Sequence, residues 1–339
     1  ECILIDSTSG EIKLTANDME LGIETIIEGE ILEKGIIALD AKIFLEIVRK
    51  LPDNDITITT DSNFKTAITC EKAKFNIIGK SGEDFSYLPM IERNESIIIS
   101  QYTLKEVIRQ TIFSISDNDN NKLMSGELFE INGEEMRVIS LDGHRISIRK
   151  IHLKNSYPAK KVVVPGKTLN EISKILSGDA DKDVTIFFTD KHIVFEFENT
   201  TVVSRLIEGE YFKIDQMLSS DYETKVIIHK KELLDCIDRA TLLIKEGDKK
   251  PIIINITDGS MELKINSTVG SMDEEIDIEK MGKDLMIGFN PKFLIDALRV
   301  IDDETITIYL VNPKAPCFIR DEENNYIYLI LPVNFTTVS

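Results

Sequence analysis

The sequence NPKFLIDALR at residues 290–299 has two earlier counterparts in the chain, DAKIFLEIVR at residues 40–49 and PGKTLNEISK at residues 165–174. Their lysines, Lys42, Lys167 and Lys292, follow one another at equal intervals of 125 residues. In each segment an acid follows four residues after the lysine, and a base follows three residues after the acid. Apolar residues at helical spacing behind a capping-type residue predict one amphipathic helix of about three turns in each segment.

Strands are predicted on both sides of each helix. A short apolar run precedes it, at residues 36–39, 162–164 and 285–289, and an alternating run follows it, at residues 56–59, 184–187 and 306–309. Period-2 alternation rich in β-branched residues is typical of strands. A further strand recurs behind Gly10, Gly133 and Gly259, and we expect each of these glycines to form a turn that enters the strand.

The repeat predicts three copies of one unit with several strands and two helices. A chain of 339 residues is also longer than one core usually supports. In the second and third copies the unit starts with a helix, predicted at residues 103–110 and 231–239. The first copy shows no such helix, because the sequence begins inside its unit. We therefore expect domains at residues 1–91, 92–220 and 221–339, of which the first lacks its N-terminal helix. By the repeat length, roughly 25 to 30 residues should precede Glu1 in the full protein.

The composition places limits on function and location. The net charge of −19 argues by itself against nucleic-acid binding, because phosphate contacts come from clustered Lys and Arg. One basic face can nevertheless coexist with an acidic remainder. No apolar run approaches the ~18 residues of a membrane span, and no signal peptide is visible. The cysteines, at positions 2, 70, 236 and 317, have no metal or redox spacing, so we expect buried reduced thiols in the cytoplasm.

Several apparent chemical motifs fail on inspection. Gly79-Lys80-Ser81 lacks the earlier glycine of a phosphate-binding loop. Residues 117–122 imitate a calcium loop but lack its turn glycine and closing glutamate, which favours a polar surface loop. Asp142 and His144 raise the alternative of a small-molecule hydrolase, yet no nucleophile or orienting third group accompanies them. The four histidines have no metal spacing. We expect no catalytic residue, metal or cofactor.

Four segments carry a resemblance to a known family: LDGHRI at residues 141–146, LIEGEYF at 206–212, IGFN at 287–290 and YLILPV at 328–333. In order and spacing they resemble the bacterial sliding clamps, the beta subunits of DNA polymerase III. The first domain is similar only in its repeat pattern. The resemblance implies an α+β fold of three repeated clamp domains, with sheets outside and two helices each inside, that forms a ring-shaped head-to-tail dimer.

The implied function is that of a non-enzymatic processivity factor. Such a clamp encircles duplex DNA as a homodimer and tethers the replicative polymerase catalytic subunit, the clamp loader and other clamp-motif proteins. Because a closed ring holds DNA by surrounding it, tight contacts to the phosphates are unnecessary. An acidic protein with a modestly basic pore can therefore serve as a clamp. The alternative is a structural or adhesive repeat protein, against which the absence of a visible signal peptide and of a disulfide framework weighs.

The resemblance also implies a groove for a short linear motif on the second and third domains. Carried over position by position, it consists of Met124, Gly126, Leu141, Gly143, His144, Arg145, Ile146, Phe212, Met217, Asn290, Phe293, Pro316, Leu329, Leu331 and Val333. Apolar members would hold a partner's anchor side chains, while Asn290 and Arg145 would orient polar groups of the peptide. The alternative is that most of these residues belong to an ordinary core. Leu141 replaces a threonine of the family and Phe212 replaces a proline. The sequence therefore does not define which partner motif this groove prefers.

Two further sets follow from the resemblance. Candidate pore-facing bases are Arg49, Lys50, Arg109, Lys167, Lys174, Arg239 and Arg299, with solvated helix positions as the alternative. For the dimer contact, an edge strand with Phe75 and Ile77 would meet Leu242 and Leu243 at a helix end of the third domain. The alternation around Phe75 is equally consistent with a strand inside one protomer.

Overall fold

A computed structural model of the chain describes residues 2–117, 121–245 and 250–335. Its elements form three successive runs, each with strands before and after a helix. The first run is β1 (Cys2–Asp6), β2 (Ile12–Asn17), β3 (Leu21–Ile27), β4 (Ile36–Asp40), α1 (Ala41–Lys50), β5 (Thr57–Thr60), β6 (Lys65–Cys70) and β7 (Ala73–Ile78). The second run is β8 (Glu95–Ser100), α2 (Gln101–Thr111), β9 (Gly126–Leu141), β10 (Arg145–Pro165), α3 (Gly166–Ile175), β11 (Asp183–Phe188), β12 (His192–Phe197) and β13 (Thr200–Arg205).

The third run completes the described chain. It is β14 (Thr224–His229), α4 (Lys230–Thr241), β15 (Ile252–Thr257), β16 (Ser260–Asn266), β17 (Ser271–Asp277), β18 (Glu279–Gly282), β19 (Leu285–Phe289), α5 (Pro291–Val300), β20 (Thr305–Leu310), β21 (Cys317–Arg320) and β22 (Tyr326–Ile330). The predicted helices and their flanking strands are therefore confirmed, including the leading helices α2 and α4.

Local chemistry accounts for where the repeated helices begin and end. The Asp40 side chain accepts a hydrogen bond from the backbone amide of Ile43, and the Asn290 side chain caps α5 in the same way at Lys292. Pro165 provides no side-chain cap for α3. Each helix carries a basic residue in its last turn, where the positive charge interacts favourably with the negative end of the helix dipole.

The chain separates into two compact units. Unit 1 comprises Glu1–Gln101 and Asp179–Leu206. It contains an antiparallel sheet of eight strands in the order β4-β1-β2-β3-β13-β12-β11-β8 and a sheet of three strands, β5-β6-β7. Strand β7 is an edge of the smaller sheet in the described part of the chain.

Unit 2 comprises Tyr102–Gly178 and Ile207–Ser339. Its larger sheet has the order β18-β14-β20-β21-β22-β10-β9, and its smaller sheet the order β17-β16-β15-β19. A core of buried side chains draws on both sheets and on helices α4 and α5, with Val226, Ile254, Leu298 and Ile319 among its members. Burial of such side chains is the main term that stabilises the unit.

The two units do not follow the three repeats, because sheets continue from one repeat into the next. In unit 1, Val202 of β13 pairs with Ile23 of β3. In unit 2, Ile146 of β10 pairs with Leu329 of β22. The middle repeat thus contributes strands to both units.

Two sequence predictions are wrong in detail. Gly133 does not form a turn before a strand; it lies inside the continuous strand β9 with a φ of +62°, whereas Gly10 and Gly259 do lie in turns. Cys70, Cys236 and Cys317 are buried as expected, but Cys2 is only partly buried because it lies at the start of β1. The expected loop at residues 117–122 lies partly outside the described residues. No helix in the described ranges is long and apolar enough to cross a membrane.

Candidate peptide-binding groove

The predicted groove is built around the turn that joins β9 to β10, residues 142–144. The Asp142 carboxylate accepts backbone hydrogen bonds from His144 at 2.9 Å and from Arg145 at 3.2 Å, which closes the turn locally. Gly143 has a φ of +88°, a region that glycine enters without strain, and a Cβ there would meet no atom within 4 Å. The turn therefore presents open backbone at the surface.

An apolar cluster, called here the groove cluster, lies on one face of the sheet beside this turn. It contains Leu128, Ile139, Leu141, Ile146, Ile148, Val163, Tyr211, Ile214, Tyr309, Phe318 and Leu329, with Met124 and Phe212 among the half-buried side chains packed against it. Leu141 and Ile146 are paired across the β9–β10 hairpin, and Ile146 is paired with Leu329. Three neighbouring strands thus supply adjacent apolar side chains.

The rim of the cluster carries several other predicted residues. The backbone amide of Leu331 donates to the carbonyl oxygen of His144 at 2.9 Å, and that of Val333 donates to the carbonyl oxygen of Gly288 at 2.9 Å. Leu331 is 36% exposed and Met217 is 47% exposed. Gly126 is buried, and a Cβ there would lie 2.6 Å from the Val164 carbonyl oxygen, so only glycine fits. Pro316 is partly buried just before β21.

Arg145, Phe293 and Asn290 lie apart from the groove cluster. The Arg145 guanidinium is directed away from the cluster, over the Phe293 ring at 4.4 Å. The His144 ring stacks on Phe293 with centroids 6.0 Å apart. Asn290 is engaged as the cap of α5. A polar cleft on this side is lined by residues that include Asp142, His144, Arg145, Phe293 and Asp296.

The cleft does not have the geometry of a hydrolase centre. Asp142 also accepts from the Arg145 side chain at 3.0 Å, so its carboxylate is used to hold the turn and the guanidinium. It contacts His144 through the backbone amide. Among the described residues, no group of three potential metal ligands is present.

Sequence reasoning missed some residues of the site. Tyr309 and Phe318 belong to the groove cluster, and Arg320 lies over the Tyr309 ring at 4.6 Å. The alternation of β20 was visible, but it did not reveal which of its side chains would lie on the same face of the sheet as Ile146 of β10. Asp296 was visible as the acid common to all three repeated helices. Tyr211 donates to the Ile139 carbonyl oxygen at 3.4 Å, and burial raises the pKa of its phenol, which keeps it neutral.

The candidate pore bases all lie on or at the ends of helices, and most have acidic neighbours. Arg109 pairs with Asp302 at 3.0 Å and also with Glu106. The remaining ion pairs are Lys50 with Glu46, Lys174 with Glu171, Arg239 with Glu274, and Arg299 with Asp238. Arg49 and Lys167 are exposed at their helix positions. The positive charge on these helices is therefore partly compensated by neighbouring acids.

The predicted dimer residues occupy exposed or partly exposed positions. Phe75 lies on the edge strand β7 and is 39% exposed, and Ile77 lies on the same strand. Leu242 follows α4 and is 81% exposed. Leu243 is partly buried against the core of unit 2. Strand β17 is also an edge of its sheet in the described part of the chain.

Models of one protein family match all three repeats. The N-terminal domain of the DNA polymerase III beta subunit matches residues 1–89, the central domain matches residues 98–213, and the C-terminal domain matches residues 215–334. The beta sliding clamp of Staphylococcus aureus is 33% identical over 342 residues, which cover 98% of this chain and 90% of that protein.

Solved structures agree with this match. A putative DNA polymerase III beta subunit from Eubacterium rectale is 78% identical, with a TM-score of 0.95 over 99% of this chain and 92% of that one. The DNA polymerase sliding clamp of Bacillus subtilis is 32% identical, with a TM-score of 0.93 over 99% of this chain and 91% of that one.

The repeats and the matched models define an α+β protein of three clamp domains. The chain belongs to the DNA polymerase III beta subunit family, the bacterial sliding clamps. In this family the beta subunit is the non-catalytic processivity component.

Proposed function

We propose that the chain acts in the cytoplasm as a DNA sliding clamp. Two copies close head to tail into a ring around duplex DNA, and each copy captures short linear motifs of its partners. These partners are the replicative polymerase catalytic subunit, the clamp loader and other proteins that carry the motif. Family membership over all three domains supports the clamp role.

The groove cluster is the observation that carries the capture step. Leu141, Ile146 and Leu329 pack side by side from three strands, and the turn beside them leaves Gly143 and His144 exposed. Half-buried apolar side chains such as Met124 and Phe212 pack against this cluster. Apolar side chains bordered by open backbone suit an extended peptide, whose anchor side chains pack against them while its main chain approaches the glycine. The exposed Leu331 extends this surface at its rim.

For ring closure, the contact is proposed between β7 of one copy and the end of α4 with its neighbouring strand edge in the other. Phe75 and Leu242 offer exposed apolar area, and an unpaired edge strand such as β7 offers free backbone groups. The charges are complementary as well, because Lys74 lies on β7 while Asp273, Glu274 and Glu275 lie on β17. The domain boundaries proposed for such a ring are residues 1–91, 92–220 and 221–339.

The capture step is tested by fluorescence polarisation with a labelled peptide of the Gln-Leu-x-Leu-Phe type. Saturable binding is expected for the wild type and loss of binding for Leu141→Glu, because an unpaired charge is costly in an apolar pocket. Since Leu141 is buried and its replacement can disturb folding, Leu331→Glu serves as a second variant at the exposed rim. Val269→Glu places the same charge at an exposed site outside the groove cluster and should bind like the wild type. Equal binding by all four proteins, or none by the wild type, would contradict the groove.

A further inference from the structure

Arg145 is the most completely engaged charged residue near the turn. Its side chain is only 6% exposed. The Nε atom donates to Asp142 Oδ2 at 3.0 Å, Nη1 donates to Asp296 Oδ2 at 2.7 Å, and Nη2 donates to the Phe113 carbonyl oxygen at 2.7 Å. The guanidinium also lies over the rings of Phe293 and Phe113, at 4.4 and 5.4 Å. Every nitrogen of the group therefore has an acceptor, and two aromatic rings pack near the guanidinium.

We propose that Asp296, acting through Arg145, is a positioning residue that fixes the turn at the floor of the peptide-binding groove. The inference rests on the proposed function, because it concerns how the same groove is held in a binding-competent shape. Asp296 lies on α5 outside the groove cluster, and its carboxylate reaches the turn through the Arg145 side chain.

A continuous series of hydrogen bonds connects Asp296 to the turn. Asp296 orients Arg145, and Arg145 holds one oxygen of Asp142. The other oxygen of Asp142 accepts from the backbone amides of His144 and Arg145, and these two bonds define the turn. Charge-assisted bonds of this kind are stronger and more directional than neutral ones. A helix of the third repeat thus sets the conformation of a turn in the second repeat.

The turn in its fixed form connects the groove cluster to the rim at Leu331. The His144 carbonyl oxygen accepts a hydrogen bond from the backbone amide of Leu331, the first residue after β22. Leu141 and Ile146 flank the turn and face the groove cluster. A shift of the turn would therefore move the apolar floor relative to the rim. Binding sites depend on such supporting residues, because their own side chains must be held close to the productive geometry.

Loss of the Asp296 carboxylate leaves a buried guanidinium with one acidic partner fewer. Removing one member of a buried pair is costly, and the remaining charge seeks another acceptor. Asp142 is the available one, since it already binds Nε at 3.0 Å. A guanidinium that turns toward Asp142 competes for the oxygens that hold the turn. Lys292, 3.4 Å from Asp296 and exposed, is not expected to compensate, because it carries the same sign as Arg145.

The test compares Asp296→Asn with Asp238→Asn in the same peptide-binding measurement. Asp238 is a matched control, because it is also a helix carboxylate of unit 2 paired with an arginine, Arg299, at 3.2 Å. Asp296→Asn is expected to weaken peptide binding about tenfold, through faster dissociation, while Asp238→Asn stays within about twofold of the wild type. Both are measured well below their thermal midpoints, so that each protein is folded.

A second readout separates positioning from general destabilisation. Hydrogen exchange at the amides of His144, Arg145 and Leu331 should speed up in Asp296→Asn, while amides in β15 should keep wild-type protection. Wild-type affinity and wild-type exchange at the turn in Asp296→Asn would overturn the inference and leave the groove standing. Absence of peptide binding by the wild type would overturn both.

Discussion

Arg299 on α5 donates to Asp238 on α4 at 3.2 Å, so a candidate DNA-facing base is held by an acid of the neighbouring helix. Arg239 is held in the same way by Glu274 of β17. Pairing of this kind reduces the positive field that a passing phosphate experiences, while it leaves the bases in place. A clamp that holds DNA by surrounding it needs little affinity for the DNA phosphates. Basic side chains whose charge is partly neutralised by neighbouring acids suit such a clamp.

Removal of the acids that pair with Arg299 and Arg239 should therefore strengthen binding to DNA. The double variant Asp238→Asn with Glu274→Gln should bind a short linear duplex about tenfold more tightly than the wild type at low salt. Its affinity should also fall more steeply with salt concentration, because more phosphate contacts release more counterions. The measurement is fluorescence anisotropy of a labelled duplex across a series of salt concentrations.

The control carries the same change of net charge at other positions. Glu262 pairs with Lys264 and Glu223 pairs with Lys283, each at 2.7 Å, and neither acid lies on a helix. Glu262→Gln with Glu223→Gln should bind the duplex like the wild type. An equal gain in both double variants would show that net charge alone matters and would contradict a specific role of the helix bases.

Glu127 predicts an unusual dependence of stability on pH. Its side chain is fully buried on β9, and neither carboxylate oxygen has a hydrogen-bond partner among the described residues. Burial raises the pKa of Glu127 from 4.5 to about 8. The Thr111 hydroxyl lies close enough to oppose this shift, but it donates its hydrogen to the Val107 carbonyl oxygen at 2.7 Å, and the effect of burial prevails. Glu127 is therefore mostly protonated in the folded chain at neutral pH.

Between pH 4.5 and about 8, the folded chain keeps a proton on Glu127 that the unfolded chain releases. Glu127 therefore lowers stability progressively as the pH rises through this window. Glu127→Gln should remove that pH-dependent loss, because glutamine does not titrate, and should raise the free energy of unfolding at alkaline pH relative to the wild type, by about 1.4 kcal/mol for each unit by which the pKa is raised. Urea denaturation from acidic to alkaline pH measures the effect.

Glu130, on the same strand, should behave in the opposite way. Burial tends to raise its pKa, but hydrogen bonds from Lys161 and Arg137 outweigh burial and leave the pKa below its usual value. Its stabilising contribution is thus present above the pKa of the unfolded chain and is lost as the pH falls through the pKa of the folded chain. Glu130→Gln should destabilise the protein at neutral pH and not under strong acid. The same pH profile for both variants would contradict the assignment.

Gly282 at the end of β18 is expected to tolerate no side chain. Its φ is +100°, and a Cβ there would lie 1.9 Å from the Glu223 carbonyl oxygen, an atom of the backbone that cannot move aside cheaply. Gly282→Ala should lower the thermal midpoint markedly. Gly259→Ala is the matched control, because Gly259 has a φ of +79° but no atom within 4 Å of its Cβ position. It should cost only the roughly 1 kcal/mol of the backbone conformation. Equal shifts by calorimetry would contradict the steric argument.

The sequence was sufficient to predict the repeated elements. Helices α1, α3 and α5 were predictable because apolar spacing and repeat position agree in all three segments. The joining of β3 to β13 and of β10 to β22 was not, since pairing between distant strands leaves no local mark in the sequence. The burial of Arg145 was also unpredictable, because it depends on Asp296 and Phe113 approaching from other parts of the chain. The family resemblance pointed to Leu141, Ile146 and Leu329 as groove residues, but only the strand pairing shows Ile146 between Leu141 and Leu329.

Retention on circular DNA tests the central claim most directly. The protein is loaded onto a nicked circular plasmid by a bacterial clamp loader with ATP, and the complex is isolated by gel filtration. A restriction enzyme then linearises half of the sample, and Leu242→Glu, which charges an exposed residue of the proposed ring contact, is carried in parallel. The wild type should remain on the circle and leave the linear plasmid, while the variant should remain on neither. Equal retention on circular and linear DNA would show binding by contact instead of enclosure and would contradict the clamp.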